Sequence, residues 1–220
     1  MTREPKPTGP WAGPFGAAYT ERNRDETVED VNDEYEERFG ITQTALLKRL
    51  FDGVDRDARI LEIGCGVGVQ LEILQELGFE HLYGLDLQRY PLVVADQIRP
   101  YVHPVQGVAR HLPFPDNSFD VVCTIEVLIH IPPDSTEAVL DDIVRCSRQL
   151  IVGSEYFAPT RTEFLYRGQR GIAWKDNFAA LYEAGRDVEE VDAQVIEYVG
   201  EEPNTDGDRF RSVFRLETDD

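Results

Sequence analysis

Short apolar segments alternate with helix-like segments through the middle of the chain, and this alternation restricts the fold more than any other feature. The apolar segments, each long enough for one strand, are residues 59–63, 81–85, 102–107, 119–125 and 149–156. Between the first two, apolar residues recur at helical spacing (Leu71, Leu74 and Leu77) until Gly78. Strands that alternate with helices predict a parallel sheet with right-handed crossovers, and therefore an α/β fold.

The alternation stops after Tyr156. Residues 158–175 are polar, aromatic and rich in arginine, and they predict a lid-like insertion. A helix is expected over residues 174–184. Residues 188–199 and 209–216 then alternate apolar with polar positions, which is typical of two strands joined by a turn. The chain should therefore end in an antiparallel hairpin beside the parallel sheet.

Two parts of unequal size are expected. Residues 41–220 should form one domain, and residues 1–40 an N-terminal arm and cap segment. Residues 1–18 are rich in proline and glycine, so we expect them to be irregular and anchored by aromatic side chains. The turn of the terminal hairpin is predicted at residues 203–207.

The charge of the chain excludes several classes of partner. Asp and Glu number 42 and Lys and Arg 22, for a formal net charge of -20. A negative field repels phosphate backbones, so no nucleic-acid partner is expected. No apolar run approaches the roughly 18 residues of a membrane span, so no membrane partner is expected either. The acid excess with very little lysine predicts a halophilic protein, because molar salt screens the repulsion that opposes a compact fold. An ordinary acidic enzyme is the alternative.

The cysteines indicate a reducing compartment. Cys65, Cys123 and Cys146 are odd in number and far apart, so they predict neither a disulfide framework nor a zinc site. The N-terminal residues lack the apolar core of a signal peptide. We therefore expect a cytoplasmic protein without a bound metal.

A glycine-rich loop lies where the first predicted strand passes into a helix. The run from Glu62 to Gly68 reads Glu-Ile-Gly-Cys-Gly-Val-Gly. Glycines at this position let a ligand approach the backbone closely, at the strand ends where α/β folds bind nucleotides. Asp86 ends the next strand, where its carboxylate is placed to accept both ribose hydroxyls of a nucleoside.

Two details favour a cationic ligand in this loop. A nicotinamide or flavin fingerprint is Gly-x-Gly-x-x-Gly, whereas position 69 is Val. Glu62 also places an anion just ahead of the glycines, where it would repel a pyrophosphate and attract an ammonium or sulfonium group. S-adenosylmethionine (SAM) carries both cations, so SAM is the expected cofactor and S-adenosylhomocysteine (SAH) the expected product.

As a set, these motifs resemble those of class I SAM-dependent methyltransferases. The matching segments are Glu62–Gly68, Asp86, Leu112–Asp120 and Val127–Ile131. The resemblance implies a Rossmann-like seven-stranded sheet in the order 3-2-1-4-5-7-6, with strand 7 antiparallel and helices on both faces. It also implies cofactor contacts at Gly64, Cys65, Gly66, Gly68, Leu87, Val108, Ala109 and Glu126.

One position departs from the family pattern. Many relatives have Asp where this chain has Val108, and that Asp meets the adenine amino group. Adenine recognition is therefore expected from the backbone of Val108 and Ala109, or from Arg110.

The flanking segments resemble a narrower group, the pseudaminic acid biosynthesis-associated methylases. Similar segments begin at Trp11, Leu128, Glu155 and Trp174. The group's name suggests a nonulosonic sugar, or a precursor of one, as the methyl acceptor.

Four side chains in these flanks are candidates for cofactor binding and catalysis. Arg22 is expected to bind the SAM carboxylate as a fork, while Tyr19 closes over the sulfonium. A surface arginine and a core tyrosine are the alternative. His130 and Glu155 are candidate general bases. For His130, a structural role in its loop is equally open.

A second set is expected to bind the acceptor. Its members are Tyr156, Glu163, Tyr166, Arg167 and Lys175. Because the chain is so acidic, a cluster of basic residues also predicts an anion-binding patch for a carboxylate or phosphate. The cluster consists of Arg161, Arg167, Arg170 and Lys175. Scattered, solvated charges are the alternative.

Three functions remain open from sequence. The leading one is methyl transfer from SAM to a small acceptor that is anionic or sugar-like. The others are a non-catalytic SAM- or SAH-binding sensor or partner subunit, and a nicotinamide-dependent oxidoreductase, against which Glu62 argues. The acceptor atom (of a hydroxyl, an amine or a carboxylate) and the oligomeric state stay open.

Overall fold

The centre of the fold is a mixed sheet of seven strands in the computed structural model, which describes residues 9–199 and 209–218. The strands of this sheet are β1 (Arg59–Ile63), β2 (His81–Asp86), β3 (Val102–Gln106), β4 (Phe119–Ile125), β5 (Ser147–Tyr156), β8 (Val188–Glu197) and β9 (Phe210–Thr218), while β6 (Thr162–Glu163) and β7 (Trp174–Lys175) pair separately. The order is β3-β2-β1-β4-β5-β9-β8, with β9 antiparallel to both neighbours. Counted within the large sheet alone, this is the predicted order 3-2-1-4-5-7-6 with its antiparallel strand, so the predicted fold is confirmed.

Helices cover both faces of the sheet. They are α1 (Pro14–Arg22), α2 (Val28–Phe39), α3 (Gln43–Leu50), α4 (Val69–Glu76), α5 (Arg89–Ile98), α6 (Thr136–Cys146) and α7 (Phe178–Glu183), with short 3-10 turns at Pro10–Ala12 and Leu128–His130. One core, around Leu47 and Leu71, lies between the sheet and α2 to α5. The other, around Leu140 and Phe214, lies beneath α6 and α7. Every residue of β4 is buried, Asp120 and Thr124 included, as expected of a central parallel strand that is covered on both faces.

The N-terminal segment is more regular than its composition predicts. We expected residues 1–18 to be irregular, but α1 begins at Pro14 with Gly13 as its N-cap. A proline in the first turn breaks no helical hydrogen bond, because the first N–H groups of a helix have no partner within it. The prediction was therefore wrong for residues 14–18, whereas residues 1–8 lie outside the described residues.

The end of the lid-like insertion also differs from prediction. Residues 174 and 175 form β7, and α7 begins only after Asn177, whose side chain accepts a hydrogen bond from the N–H of Ala180 at 3.3 Å. The helix is therefore shorter than the predicted 174–184, because the insertion closes with its own strand pair. The turn predicted at 203–207 lies outside the described residues.

Candidate functional site

A cavity of about 740 Å³ opens at the carboxyl ends of β1, β2 and β4. Because parallel strands end at the same edge of a sheet, the residues that follow these strands meet there. At the glycine-loop end, the cavity is bounded by residues 62–67 and Asp86. At the aromatic end, it is bounded by Trp11, Tyr19, Tyr35, Tyr156 and Tyr166.

The glycine loop has the backbone that its sequence predicts. Gly64, Gly66 and Gly68 have φ angles of 72°, 54° and 85°, in the left-handed region that side chains disfavour. A Cβ on Gly64 would lie 2.5 Å from a methyl group of Val127, whereas a Cβ on Gly66 would meet nothing within 4 Å. A ligand in the cavity can therefore lie directly against the backbone at Gly66.

Two acids form the wall beside this loop. Glu62 is 2% exposed, and its Oε2 makes no hydrogen bond within the described residues. Burial, and secondarily the charge of Asp86, raises the pKa of Glu62 to about 8. Asp86 accepts hydrogen bonds from the N–H groups of Gly66 (3.2 Å) and Gln88 (2.8 Å), and burial raises its pKa to about 6. A buried carboxylate oxygen without a partner, next to a second acid, suits a ligand with a cationic donor group.

Of the remaining predicted cofactor contacts on this side, four also line the cavity: Leu87, Val108, Ala109 and Cys65. Gly68 does not line it and is the N-cap of α4. The carbonyl of Val108 accepts a hydrogen bond from the N–H of His111 at 3.0 Å, which closes a tight turn. Burial raises the pKa of the Cys65 thiol well above its usual range, so this residue contributes backbone rather than thiolate chemistry.

Arg99 binds the glycine loop through hydrogen bonds, and it was not predicted from the sequence. This side chain is buried and donates hydrogen bonds to the carbonyls of Val67 (3.0 Å) and Glu26 (2.9 Å) and to the carboxylate of Glu72 (2.9 Å). It therefore joins the loop to the segment between α1 and α2. No motif marks Arg99 in the sequence, because its partners come from three separate elements.

The aromatic end is roofed by α1 and the lid-like insertion. The ring of Trp11 lies 4.3 Å from that of His130 and 5.3 Å from that of Tyr19, measured between centroids. The guanidinium of Arg167 lies 5.5 Å from the Tyr19 ring. Arg22 is exposed, 5.8 Å from the same ring, and it does not line the cavity as the described residues define it. The structure thus brings Tyr19 to the site and leaves Arg22 at its rim.

His130 lines the cavity and is held in one orientation. Its Nδ1 lies 3.0 Å from the carbonyl oxygen of Ile172, so Nδ1 carries the proton and donates it to that carbonyl. Nε2 is then the nitrogen with the lone pair. Burial lowers the pKa of His130 to about 4, which keeps the ring neutral at pH 7.

Glu155 lies behind the site, not in it. Its side chain is fully buried, and Oε1 accepts hydrogen bonds from the N–H groups of Val127 and Leu128, both at 3.2 Å. Burial raises its pKa to about 7. Consecutive strand residues point to opposite faces, so Tyr156 reaches the cavity and Glu155 does not. We correct its role from candidate base to a group that fixes the loop after β4.

The basic residues of the insertion do not converge on one point. Arg161 binds Asp176, because its Nε donates a hydrogen bond to the Asp176 carboxylate at 2.6 Å. The Lys175 ammonium lies 5.5 Å from the Phe164 ring, and Arg170 is exposed. Of the four, Arg167 lines the cavity among the described residues. The predicted anion patch is therefore reduced to Arg167.

The acidic residue of the insertion likewise has a local partner. Glu163 is exposed, and its carboxylate accepts a hydrogen bond from the N–H of Gly171 at 2.9 Å. Tyr166, which lies buried between these residues in sequence, lines the cavity. Of the predicted acceptor contacts, Tyr156, Tyr166 and Arg167 therefore reach the site, whereas Glu163 and Lys175 do not.

A buried ionic cluster closes the floor of the aromatic end. Glu126 follows β4, and its Oε1 accepts from Nη1 of Arg211 (2.5 Å) and from the hydroxyl of Tyr35 (3.2 Å). Arg211 also donates to the Tyr35 hydroxyl. Arg38 lines the cavity beside them and pairs with Glu34 at 2.6 Å. Glu126 was predicted from the sequence, but its partners were not, because they are distant from it in the chain.

Two features are absent from residues 9–199 and 209–218. No group of three or more His, Cys, Asp or Glu residues in these ranges could hold a metal ion. Within the same ranges, no helix has the length and apolar character that crossing a membrane requires.

Part of the chain is similar in sequence to known methyltransferases. Residues 61–150, less than half of the chain, match the family described as "Methyltransferase domain". Sterol 24-C-methyltransferase erg-4 of Neurospora crassa is 32% identical over 99 residues, which is 42% of this chain but only 26% of that protein. Methyltransferase GfsG of Streptomyces halstedii is 29% identical over 171 residues, which is 66% of this chain and 59% of that protein.

A solved structure extends the likeness to nearly the whole chain. It is 1,6-didemethyltoxoflavin-N1-methyltransferase of Burkholderia thailandensis, with 1,6-didemethyltoxoflavin and SAH bound. The TM-score is 0.62 at 20% identity, and the match covers 98% of this chain and 94% of that one. Residues 61–150 thus match the methyltransferase domain family, and the chain around them has the Rossmann-like methyltransferase fold.

Proposed function

We propose that this protein transfers a methyl group from SAM to a small-molecule acceptor. The observation that carries the proposal is the buried Oε2 of Glu62, which lies at the cavity wall without a hydrogen bond in the described residues. The ammonium group of SAM would supply that bond. Asp86 would accept the ribose hydroxyls, and the backbone at Val108 and Ala109 would border the adenine.

The chain's own residues would position the acceptor and remove its proton. Bound SAM supplies a methyl carbon that is electrophilic without further activation. The protein must hold the acceptor in line, about 3 Å from that carbon, and exclude water. The rings of Trp11, Tyr19 and Tyr166 pack together at the aromatic end of the cavity, and we assign to them the exclusion of water. Nε2 of His130 is unprotonated, and we assign to it the proton that the acceptor loses, although a pKa of about 4 makes this ring a weaker base than a free imidazole.

Replacing His130 with alanine tests this assignment. We expect kcat to fall about 100-fold, because general bases contribute on this order. The SAM dissociation constant, measured by calorimetry, should not change. His103→Ala, at an exposed position of β3, is the matched control. Full activity in His130→Ala would remove His130 from the mechanism. Tight SAM binding by the wild type with no SAH formation would instead favour the non-catalytic sensor.

Arg167 is proposed to bind the acceptor. Its guanidinium lies over the rings of Tyr19 and Tyr166 at the cavity wall, where it suits a carboxylate. A nonulosonic sugar, which the flanking motifs suggest, carries such a group. Arg167→Ala should raise the KM of the acceptor about 10-fold, the usual cost of one charge-assisted hydrogen bond. An equal loss of SAM affinity would place Arg167 against the cofactor instead.

A further inference from the structure

We propose that Glu126 determines acceptor specificity by binding a hydroxyl or amino group of the acceptor through Oε2. The inference rests on the proposed methyl transfer. It also reassigns Glu126, since the family resemblance implied a cofactor contact at this position. Three observations carry the reassignment: the hydrogen bonds of the carboxylate, its charge, and the backbone that presents it.

The hydrogen bonds leave one oxygen of Glu126 available. Arg211 and Tyr35 both donate to Oε1, at 2.5 Å and 3.2 Å. Oε2 makes no hydrogen bond within the described residues, although the side chain lines the cavity and is 27% exposed. Arg211 is fully buried and Tyr35 nearly so, which fixes the orientation of the carboxylate. Oε2 is thus a positioned hydrogen-bond acceptor at the aromatic end.

The charge of this carboxylate is maintained by its neighbours. Burial favours the neutral acid, but the guanidinium groups of Arg211 and Arg38 outweigh burial and hold the pKa of Glu126 below its usual range. An ionised carboxylate accepts hydrogen bonds and cannot donate them. It therefore binds O–H and N–H groups and repels an acceptor carboxylate from the same position.

The backbone at Glu126 is also unusual. Its φ of 57° lies in the left-handed region, and its N–H is tied to the carbonyl of Ser154 at 2.9 Å. Such conformations in residues other than glycine concentrate at functional sites, where the surrounding structure maintains them. β4 pairs directly with β1, so Glu126, which follows β4, lies at the end of the strand next to that of Glu62. The acceptor group that Glu126 binds would lie beside the cofactor.

The inference is tested by incubating the protein with [methyl-14C]SAM and a small-molecule extract of the cells in which the protein naturally occurs. The label transferred to small molecules is then measured. Serial dilution of the extract gives an apparent KM and kcat, and calorimetry gives SAM affinity. Glu126→Gln keeps one accepting oxygen, so its apparent KM should rise about 10-fold. Glu126→Leu keeps none, so its rise should exceed 100-fold. Both should bind SAM within twofold of the wild type, as should the surface control Glu76→Gln, whose labelling should not change.

Chemical treatment of the extract tests the acceptor class directly. Acetylation with acetic anhydride blocks hydroxyl and amino groups, so the treated extract should support less than one tenth of the labelling given by a mock-treated extract. Full labelling with the acetylated extract would overturn the inference. An unchanged apparent KM in both Glu126 variants, or a parallel loss of SAM affinity, would overturn it as well.

A replacement variant and a wild-type control complete the test. If Glu126→Leu unfolds because Arg211 loses its counter-charge, Tyr35→Phe replaces it. That variant changes no charge and should raise the apparent KM about threefold, by releasing Oε1 from one of its two hydrogen bonds. An unchanged KM in Tyr35→Phe and Glu126→Gln together would refute the inference. No labelled product from SAM-bound wild type would overturn the proposed transfer, and this inference with it.

Discussion

Glu62 has opposite consequences for stability and for ligand binding. Its pKa is raised from 4.5 to about 8 in the folded protein, so the folded state retains a proton that the unfolded state has released. Between those two values the folded state binds more protons, and the free energy of unfolding therefore decreases as pH rises. Below the lower value both states are protonated, and the penalty is absent.

Glu62→Gln should separate these two effects. At pH 8, the ligand-free variant should melt at a higher temperature than the wild type, because no buried charge forms. Its affinity for SAM should fall about 10- to 100-fold, the value of a hydrogen bond to a charged group. Scanning and titration calorimetry measure the two quantities, with exposed Glu80→Gln as control. Unchanged SAM affinity would remove Glu62 from the cofactor site.

Proton release on binding provides a second test of Glu62. At pH 7 this residue is mostly protonated, whereas a bound ammonium favours its ionised form. Binding of SAM should therefore release a proton, and SAM affinity should rise from pH 6 to pH 8. Titrations in buffers of different ionisation enthalpy count the protons released. Equal release by the wild type and Glu62→Gln would contradict the assignment.

At the residue scale, the sequence predicted side chains whose role follows from a local motif. Glu62 and Asp86 reach the cavity because each stands at a fixed place relative to the glycine loop. Glu155 was predicted to be a general base because it lies at the end of a strand. Side chains alternate between the two faces of a strand, so the side chain of Glu155 points away from the cavity. The pairing of Glu126 with Arg211 spans 85 positions and depends on β9 lying beside β5, which no local pattern encodes.

At the scale of elements, prediction succeeded where one periodicity dominates. β4 is mostly apolar over its seven residues, and α4 has apolar residues at helical spacing, so both were predicted within a residue or two. α1 was missed because proline and glycine usually interrupt helices. Here Gly13 caps α1 and Pro14 starts it, so the same residues define a helix.

Arg99 contacts three separate elements, so its replacement should affect both SAM binding and the stability of the fold. Arg99→Met would leave the carbonyls of Val67 and Glu26 without their donor. We expect the free energy of unfolding to fall by about 1–3 kcal/mol, the cost of leaving a buried polar group unsatisfied, and SAM affinity to fall with it. Arg89→Met, at an exposed position at the start of α5, the helix that Arg99 follows, is the control. Normal SAM affinity in Arg99→Met would show that the loop holds its shape alone.

At the scale of the whole molecule, the net charge of -20 predicts that stability depends on salt. Two acids, Glu62 and Asp86, are accounted for by the cavity. Repulsion among the others opposes the compact state, and molar salt shortens the screening length to about 3 Å. We expect the melting temperature to rise strongly between 0.1 and 3 M KCl, as measured by scanning calorimetry. A flat response would contradict the proposal that the protein is halophilic.

We propose that the cavity binds a cationic nucleoside cofactor through Glu62 and Asp86. Calorimetric titration of the wild type with SAM, SAH and NAD in parallel tests this binding. We expect SAM and SAH each to bind at one site per chain and NAD not to bind. Binding of NAD without binding of SAM would contradict this proposal and would restore the oxidoreductase as the better assignment.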